Sequence, residues 1–220
     1  FNVAVGHRAL KTQNAGASAY NTALGYNAGL SVTTGTLNTV IGGLAGDAIT
    51  TGGSNTAVGQ EALTAETTGS HNIAIGREAS RYSALSNRSI SIGYAALQAQ
   101  ANSSLTDTYN IAIGHVAGSA ITTGLRNTLI GGFAGDGLTT GQRNVAIGYG
   151  ALSSEDTHNY NVAIGDSALN QLNAGANGYN VAIGYSAGHD MTTRVHNTIV
   201  GGLAGDALTT GADNVALGVN

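Results

Sequence analysis

The chain has 220 residues, with 34 Gly and no Pro, Cys or Trp, and only 9% of it is charged, about a third of the ~25% usual for a globular domain. The absence of Cys excludes disulfides, thiolate metal sites and a cysteine nucleophile. A net charge of −4 with a single Lys, Lys11, argues against a nucleic-acid partner, and no apolar run is long enough to span a bilayer.

The first element begins at Asn2, and it recurs to the end of the chain. With the Asn of Asn-x-x-x-Gly as position 1, copies start at Asn2, Asn21, Asn38, Asn55, Asn72, Ser89, Asn110, Asn127, Asn144, Asn161, Asn180, Asn197 and Asn214. Nine of the twelve steps are 17 residues; those after Asn2 and Asn161 are 19, and that after Ser89 is 21. Position 2 is always Val, Ile or Thr, position 4 always Val, Leu or Ile, and position 5 always Gly. Position 8 is Ala in every copy that reaches it. β-Branched residues favour a pleated strand, and Gly permits a tight corner. Repeats of this length stacked in register form a solenoid. The fold class is therefore all-β: a β-solenoid, or β-roll, of about thirteen 17-residue coils in a single segment over residues 1–220. The position 1 Asn stacks on itself and hydrogen-bonds along the ladder.

Taken in order, the coils alternate between two solutions of one core slot. The Asn2 coil carries Leu10 at position 9 and ends in an insertion, "KTQNAGASAY", closing on Tyr20. The Asn21 and Asn38 coils have Gly29 and Gly46 at position 9, with Val32 and Ile49 at position 12 instead. Leu returns as Leu63, with Glu66 at position 12. The Asn72 coil has Ser80 and Ser83 at the two places, so Tyr82 or Leu85 is expected to fill in. The Ser89 coil has Leu97 and the insertion "QAQANSSLTDTY" ending at Tyr109. Gly118 with Ile121, Gly135 with Leu138, Leu152, and Leu169 with the insertion "NQLNAGANGY" ending at Tyr179 follow. Gly188 with Met191 and Gly205 with Leu208 complete the series. One large side chain fills the slot from either place, because a coil lacking both leaves a void. The three insertions are expected as variable outward loops. Tyr20, Tyr109 and Tyr179 are the candidate ligand-facing residues.

Three stretches are near-copies: "NTVIGGLAGDAITTG" from Asn38, "NTLIGGFAGDGLTTG" from Asn127 and "NTIVGGLAGDALTTG" from Asn197. Each follows another Gly-type coil, and these coils alone have a bulky position 3: Val40, Leu129 and Ile199. Position 3 is otherwise Ala, or Ser91. If position 3 faces outward, this strip should face another chain rather than water, and Val40, Leu129 and Ile199 are inter-chain contacts.

"NVAIGxxAL" and "NTAVGxxAL" resemble the head repeats of YadA-type trimeric autotransporter adhesins, and equally the Asn-Thr-Ala-hydrophobic-Gly repeats of phage and virus tail fibres. The resemblance covers the whole chain. It implies a left-handed β-roll assembled as a homotrimer, extracellular on a bacterial cell surface or in a virion fibre, which attaches to a host glycan or protein. It implies no active site and no cofactor. The regular 17-residue unit is longer than is typical of the adhesin heads, and bacterial and viral origin both stay open. The chain is read as a segment of a longer fibre, non-enzymatic, without membrane insertion in this segment. The alternative is a passive self-assembling filament.

Sharper chemistry rests on few residues. Asp47, Asp136 and Asp206 of the three near-copies fit part of a calcium-binding nonapeptide, but calcium needs six to eight oxygens, and these Asp are far apart in the stack. They are the candidate metal ligands. Thr-Thr-Gly, starting at Thr33, Thr50, Thr67, Thr122, Thr139 and Thr209, suggests an ice-binding array, against a plain turn closed by Gly. Glu61, Glu66 and Glu78 lie near one another, as do Glu155 and Asp156, and read as solvated surface charge rather than an acid–base pair. The six His do not share one repeat position.

Overall fold

The computed structural model describes residues 1–16, 18–154, 157–173, 177–193, 195–209 and 211–220. Glu155 and Asp156 lie outside the described residues, as do parts of the first and third insertions. The described residues are all-β, without helix. The strands are β1 (Val3–Val5), β2 (Thr22–Leu24), β3 (Thr39–Ile41), β4 (Thr56–Val58), β5 (Ile73–Ile75), β6 (Ala84–Asn87), β7 (Ile90–Ile92) and β8 (Ala101–Asp107). They continue with β9 (Ile111–Ile113), β10 (Thr128–Ile130), β11 (Val145–Ile147), β12 (Val162–Ile164), β13 (Val181–Ile183), β14 (Thr198–Val200) and β15 (Val215–Leu217). All but β6 and β8 occupy positions 2 to 4 of the thirteen repeats, giving a parallel β-solenoid of about twelve turns with 17-residue spacing.

The chain falls into two compact units, Phe1–Tyr109 and Asn110–Asn220, divided where the longest insertion ends. In the first, β1, β2, β3, β4, β5 and β7 pair in parallel, each residue on its repeat equivalent, as in Val3↔Thr22 and Val40↔Ala57. In the second, β9 to β15 do the same, as in Leu129↔Ala146. The middle insertion is not a plain loop. It forms β8, which pairs with β6 and carries its extra residues in a register shift between Ala84 and Ser86.

Each repeated residue has a stacking reason. A Cβ added at Gly42 would lie 2.5 Å from the carbonyl oxygen of Gly59, and its φ is +132°. Both the close approach and a φ closed to L side chains make position 5 obligatory Gly. Asn38 is fully buried; its Oδ1 accepts from the backbone N–H of Asn55 at 3.0 Å, and its Nδ2 donates to the Gly52 carbonyl at 2.9 Å. The same pair of bonds holds Asn55 and Asn127. The ladder runs from side chain to backbone, and in the second unit the Asn side chains also bond one another as expected: Asn127 Nδ2 donates to Asn110 Oδ1 at 3.3 Å and Asn214 Nδ2 to Asn197 Oδ1 at 2.9 Å. Thr-Thr-Gly is explained by the same logic: the Thr33 and Thr50 hydroxyls donate to the carbonyls of Thr50 and Thr67 one coil on. The closing Gly52 meets the Gly69 carbonyl too closely to carry a Cβ.

The swapped core slot is present. Leu10, Leu63, Leu97, Leu152 and Leu169 are buried, and so are Val32, Ile49, Ile121, Leu138 and Met191. A Cβ on Gly46 would lie 2.8 Å from Ile49 Cδ1, so the two places share one volume.

Position 3 corrects the outward reading. Val40, Leu129 and Ile199 are 0% exposed and lie inside their coils, as do the Ala residues of that column apart from Ala4 and Ala216 in the first and last strands. They cannot be inter-chain contacts. Positions 2 and 4 are the ones that point out. The reason is volume: where two successive coils both have Gly at position 9, the small residues leave room that Ala cannot fill. Val40 Cγ atoms lie 3.1 and 2.8 Å from Cβ positions built on Gly29 and Gly46. Ile199 Cδ1 stands 3.1 Å from both Gly188 and Gly205 in the same way.

The Asn72 coil is also filled otherwise than expected. Tyr82 is 52% exposed and does not enter. Ser80 and Ser91 pair inside at 2.8 Å, and Glu66 from the preceding coil reaches in. Glu66 is not solvated: it is fully buried. It accepts four backbone N–H bonds, from Thr67, Gly69 and Leu85 on Oε1 and from Ser86 on Oε2. A buried carboxylate needs such donors.

Candidate functional surfaces

Among the described residues there is no concave cleft, no cluster of three His, Asp or Glu able to hold a metal, and no helix long and apolar enough to cross a membrane. What each unit presents is surface, organised in columns.

The broadest column is aliphatic. Positions 2 and 4 alternate outward from the short strands, so each unit carries a row of Val, Ile, Leu and Thr. Leu24, Ile75 and Ile183 are exposed, and most other members are half-buried by their own stacking. Contiguous aliphatic surface on a folded protein often serves as an interaction site.

The last residue of each coil, just before the next Asn and at position 17 in the regular coils, forms the second column, and the sequence pattern hides it because its residues differ in chemistry. All of the non-Gly residues there have left-handed backbone, among them Tyr20, Leu37, His71, Arg88, Tyr109, Arg143, Tyr160, Tyr179 and His196. Such a conformation costs an L residue about 1–2 kcal/mol, and the side chains of this column are exposed or half-buried. The three predicted Tyr stand here. Tyr20 stacks on Phe1 at 5.4 Å. Tyr109 lies under the Arg88 guanidinium at 5.8 Å, and its hydroxyl donates to Asp107 at 3.5 Å. Tyr179 stacks on Tyr160 at 4.8 Å and meets the His196 ring, tilted by 34°, at 5.5 Å. Asp107 in turn contacts Arg88 and accepts from Asn87 Nδ2 at 3.0 Å, which holds its carboxyl below the ordinary value.

Position 6 forms a third column, at the other end of each strand. It carries exposed Tyr26, Tyr94, Tyr149 and Tyr185. His7 stacks on Tyr26 at 5.4 Å, and Arg77 lies over Tyr94 at 5.5 Å. Beside it in the first unit, Arg81 joins Glu61 at 2.7 Å and Glu78 at 3.6 Å, and Arg77 joins Glu78 at 2.8 Å. The acids Glu61 and Glu78 are thus charge-paired, while Glu66 lies in the core.

The candidate metal ligands stay apart. Asp136 and Asp206 stand four coils from each other, on the order of 19 Å at ~4.8 Å per coil. Burial pushes the Asp47 and Asp136 carboxyls above their ordinary value, with Glu61 adding to the effect at Asp47. Their Oδ1 atoms are buried without a hydrogen-bond partner, whereas Asp206 Oδ1 accepts from the Ala207 N–H at 2.8 Å. The adjacent Gly43 has open space around it, and nothing in the structure explains its being Gly.

The fold and its surfaces define a parallel β-solenoid repeat protein with columns of outward side chains. No family model matches the chain, and no curated protein or solved structure is significantly similar to it.

Proposed function

We propose that the chain is a segment of an extracellular, non-enzymatic fibre or adhesin, in which three copies associate and display the exposed columns for attachment to a host surface. The observation that carries this reading is the outward aliphatic face at positions 2 and 4. It replaces the position 3 strip as the place where copies meet. Leu24, Ile75, Ile130, Ile147 and Ile183 belong to it, whereas Val40, Leu129 and Ile199 do not. The resemblance to adhesin heads and tail fibres supports a left-handed coil, a threefold assembly and a bacterial-surface or virion location.

Light scattering on the purified chain tests the assembly. The expected mass is three chains, and Ile130→Asp with Ile147→Asp is expected to give single chains that keep their β-type circular dichroism. A well-folded wild-type monomer at micromolar concentration would overturn the reading.

A further inference from the structure

In the second unit the charges segregate. Its described cationic side chains of the Lys/Arg type, Arg126 and Arg143, both stand at position 17. The described acids Asp136, Asp166, Asp190 and Asp206 stand at positions 6 to 11, beyond the other end of the strand. Of the described acids only Asp213 shares the cationic edge, at its far end, 3.4 Å from His196. Among the described residues neither guanidinium meets a carboxylate. This differs from the first unit, where Arg77, Arg81 and Arg88 are all paired with acids.

The same edge carries a continuous stack of flat groups. The Arg143 guanidinium lies 5.3 Å over the Tyr160 ring and donates to its hydroxyl at 2.7 Å. Tyr160 and Tyr179 stack at 4.8 Å with an angle of 5° between them, and His196 follows. A stack shows its edges to solvent. Here those edges are guanidinium N–H, phenol O–H and imidazole N–H groups, repeated once per coil. The strip is a ladder of donors and positive charge on a chain whose net charge is −4.

Its partner must then be an acceptor-rich anion that repeats along the coil axis. We propose that this edge, from Arg126 through Arg143, Tyr160 and Tyr179 to His196, binds an anionic polysaccharide chain lying along the solenoid. Carboxylate or sulfate groups meet the guanidinium pair, where planar bidentate contacts are strongest. Sugar hydroxyls take the phenol and imidazole donors. Duplex nucleic acid fits less well, since two Arg in a row provide too few phosphate contacts for its affinity. The inference deepens the attachment reading and names its ligand class.

The test uses the whole chain and four immobilised polymers: alginate for carboxylate, heparin for sulfate, dextran for a neutral sugar, and duplex DNA. Binding to alginate, heparin or both is expected, with the preferred arm identifying the anionic group. It should weaken steeply as salt rises, because exposed charge pairs are screened. Arg126→Gln with Arg143→Gln, and separately Tyr179→Ala, should each weaken it by about tenfold or more. Arg77→Gln in the first unit should leave it unchanged, and the melting temperatures confirm that each variant is folded. Equal binding to dextran, tighter binding to DNA, no binding to either acidic glycan, or folded Arg variants that bind as wild type would overturn the proposal. Light scattering on the same samples keeps the outcomes separate: three-chain particles that ignore both glycans sink the strip and leave the assembly standing.

Discussion

Leu129 gives the sharpest test of what lies inside the coil. It is fully buried, and its Cδ2 stands 2.7 Å from where a Cβ would sit on Gly135. Leu129→Ala removes three carbons from a site whose neighbours, held by hydrogen bonds to the coils on either side, cannot collapse into the gap. Large-to-small changes of this kind cost roughly 2–5 kcal/mol. A mid-range loss of about 3 kcal/mol corresponds to a melting temperature lower by about 6–12 °C for a chain of this size. Gly135→Leu alone should also destabilise, by about 1–3 kcal/mol, because the new side chain runs into Leu129 and into Leu138, whose Cδ1 lies 2.9 Å from that Cβ position.

The double variant is the decisive member. Ala at position 3 with Leu at positions 9 and 12 is the pattern of the Asn161 coil, where Ala163, Leu169 and Leu172 are all buried. Leu at position 9 already adopts the required left-handed backbone, with φ of 49° at Leu169 and 57° at Gly135. Leu129→Ala combined with Gly135→Leu should therefore be less destabilised than the sum of the singles, by about 1–3 kcal/mol. Urea unfolding followed by far-ultraviolet circular dichroism measures all four corners of the cycle. Additive losses, or a Leu129→Ala chain within about 0.5 kcal/mol of wild type, would refute the shared-volume account and return Leu129 to the surface.

Two further tests separate neighbouring causes. Gly42→Ala places a Cβ 2.5 Å from the next coil's carbonyl oxygen, whereas Gly43→Ala meets nothing within 4 Å; the first should prevent folding of its coil, and the second should stay within about 0.5 kcal/mol of wild type. For Asp47, burial raises the folded carboxyl above its ordinary value, so the native state binds the proton more tightly than the unfolded chain. Stability on this account is highest below the ordinary carboxylate value and falls as pH rises through the raised folded value, then stays at a constant deficit. Asp47→Asn should stabilise the chain at pH 7 and lose that advantage on acidification; a gain that persists unchanged in acid would contradict the assignment.

Much of the fold is legible in the sequence because stacking turns the repeats into columns. The Asn ladder and the obligatory position 5 Gly each involve one residue type meeting its own copies, and the trade between Leu63 and Ile49 shows as two positions that are large by turns, so the periodicity displays all three. The direction of position 3 is not legible. A three-residue strand shows that positions 2 and 4 share a face, but it offers no further residue to say which face is inside. The usual expectation puts β-branched bulk in the core, and here a narrow coil takes Ala and sends Val and Ile outward. Glu66 is hidden for a related reason. Polar residues at position 12 of Leu-type coils look like solvent-facing ones, and two of the four backbone N–H groups that satisfy the carboxylate, those of Leu85 and Ser86, come from about twenty residues away.

The left-handed columns explain why outward chemistry can vary while the fold does not. At position 17 the conformation is fixed by the backbone: Arg143 N–H donates to the Leu125 carbonyl, Tyr160 to Gln142 and His196 to Gly178. None of these bonds involves the side chain. Left-handed backbone strains β-branched residues most and Asp least, so Leu37, Arg88 and Tyr109 are nearly equivalent to the coil and entirely different to a ligand. Positions 1 and 5, Asn or Ser89 and Gly throughout, have no such freedom, since each touches its own copy in the next coil. A surface for attachment can therefore change column by column without disturbing the stack, and the second unit's Arg–Tyr–Tyr–His edge lies in one of the columns where such change costs the fold least.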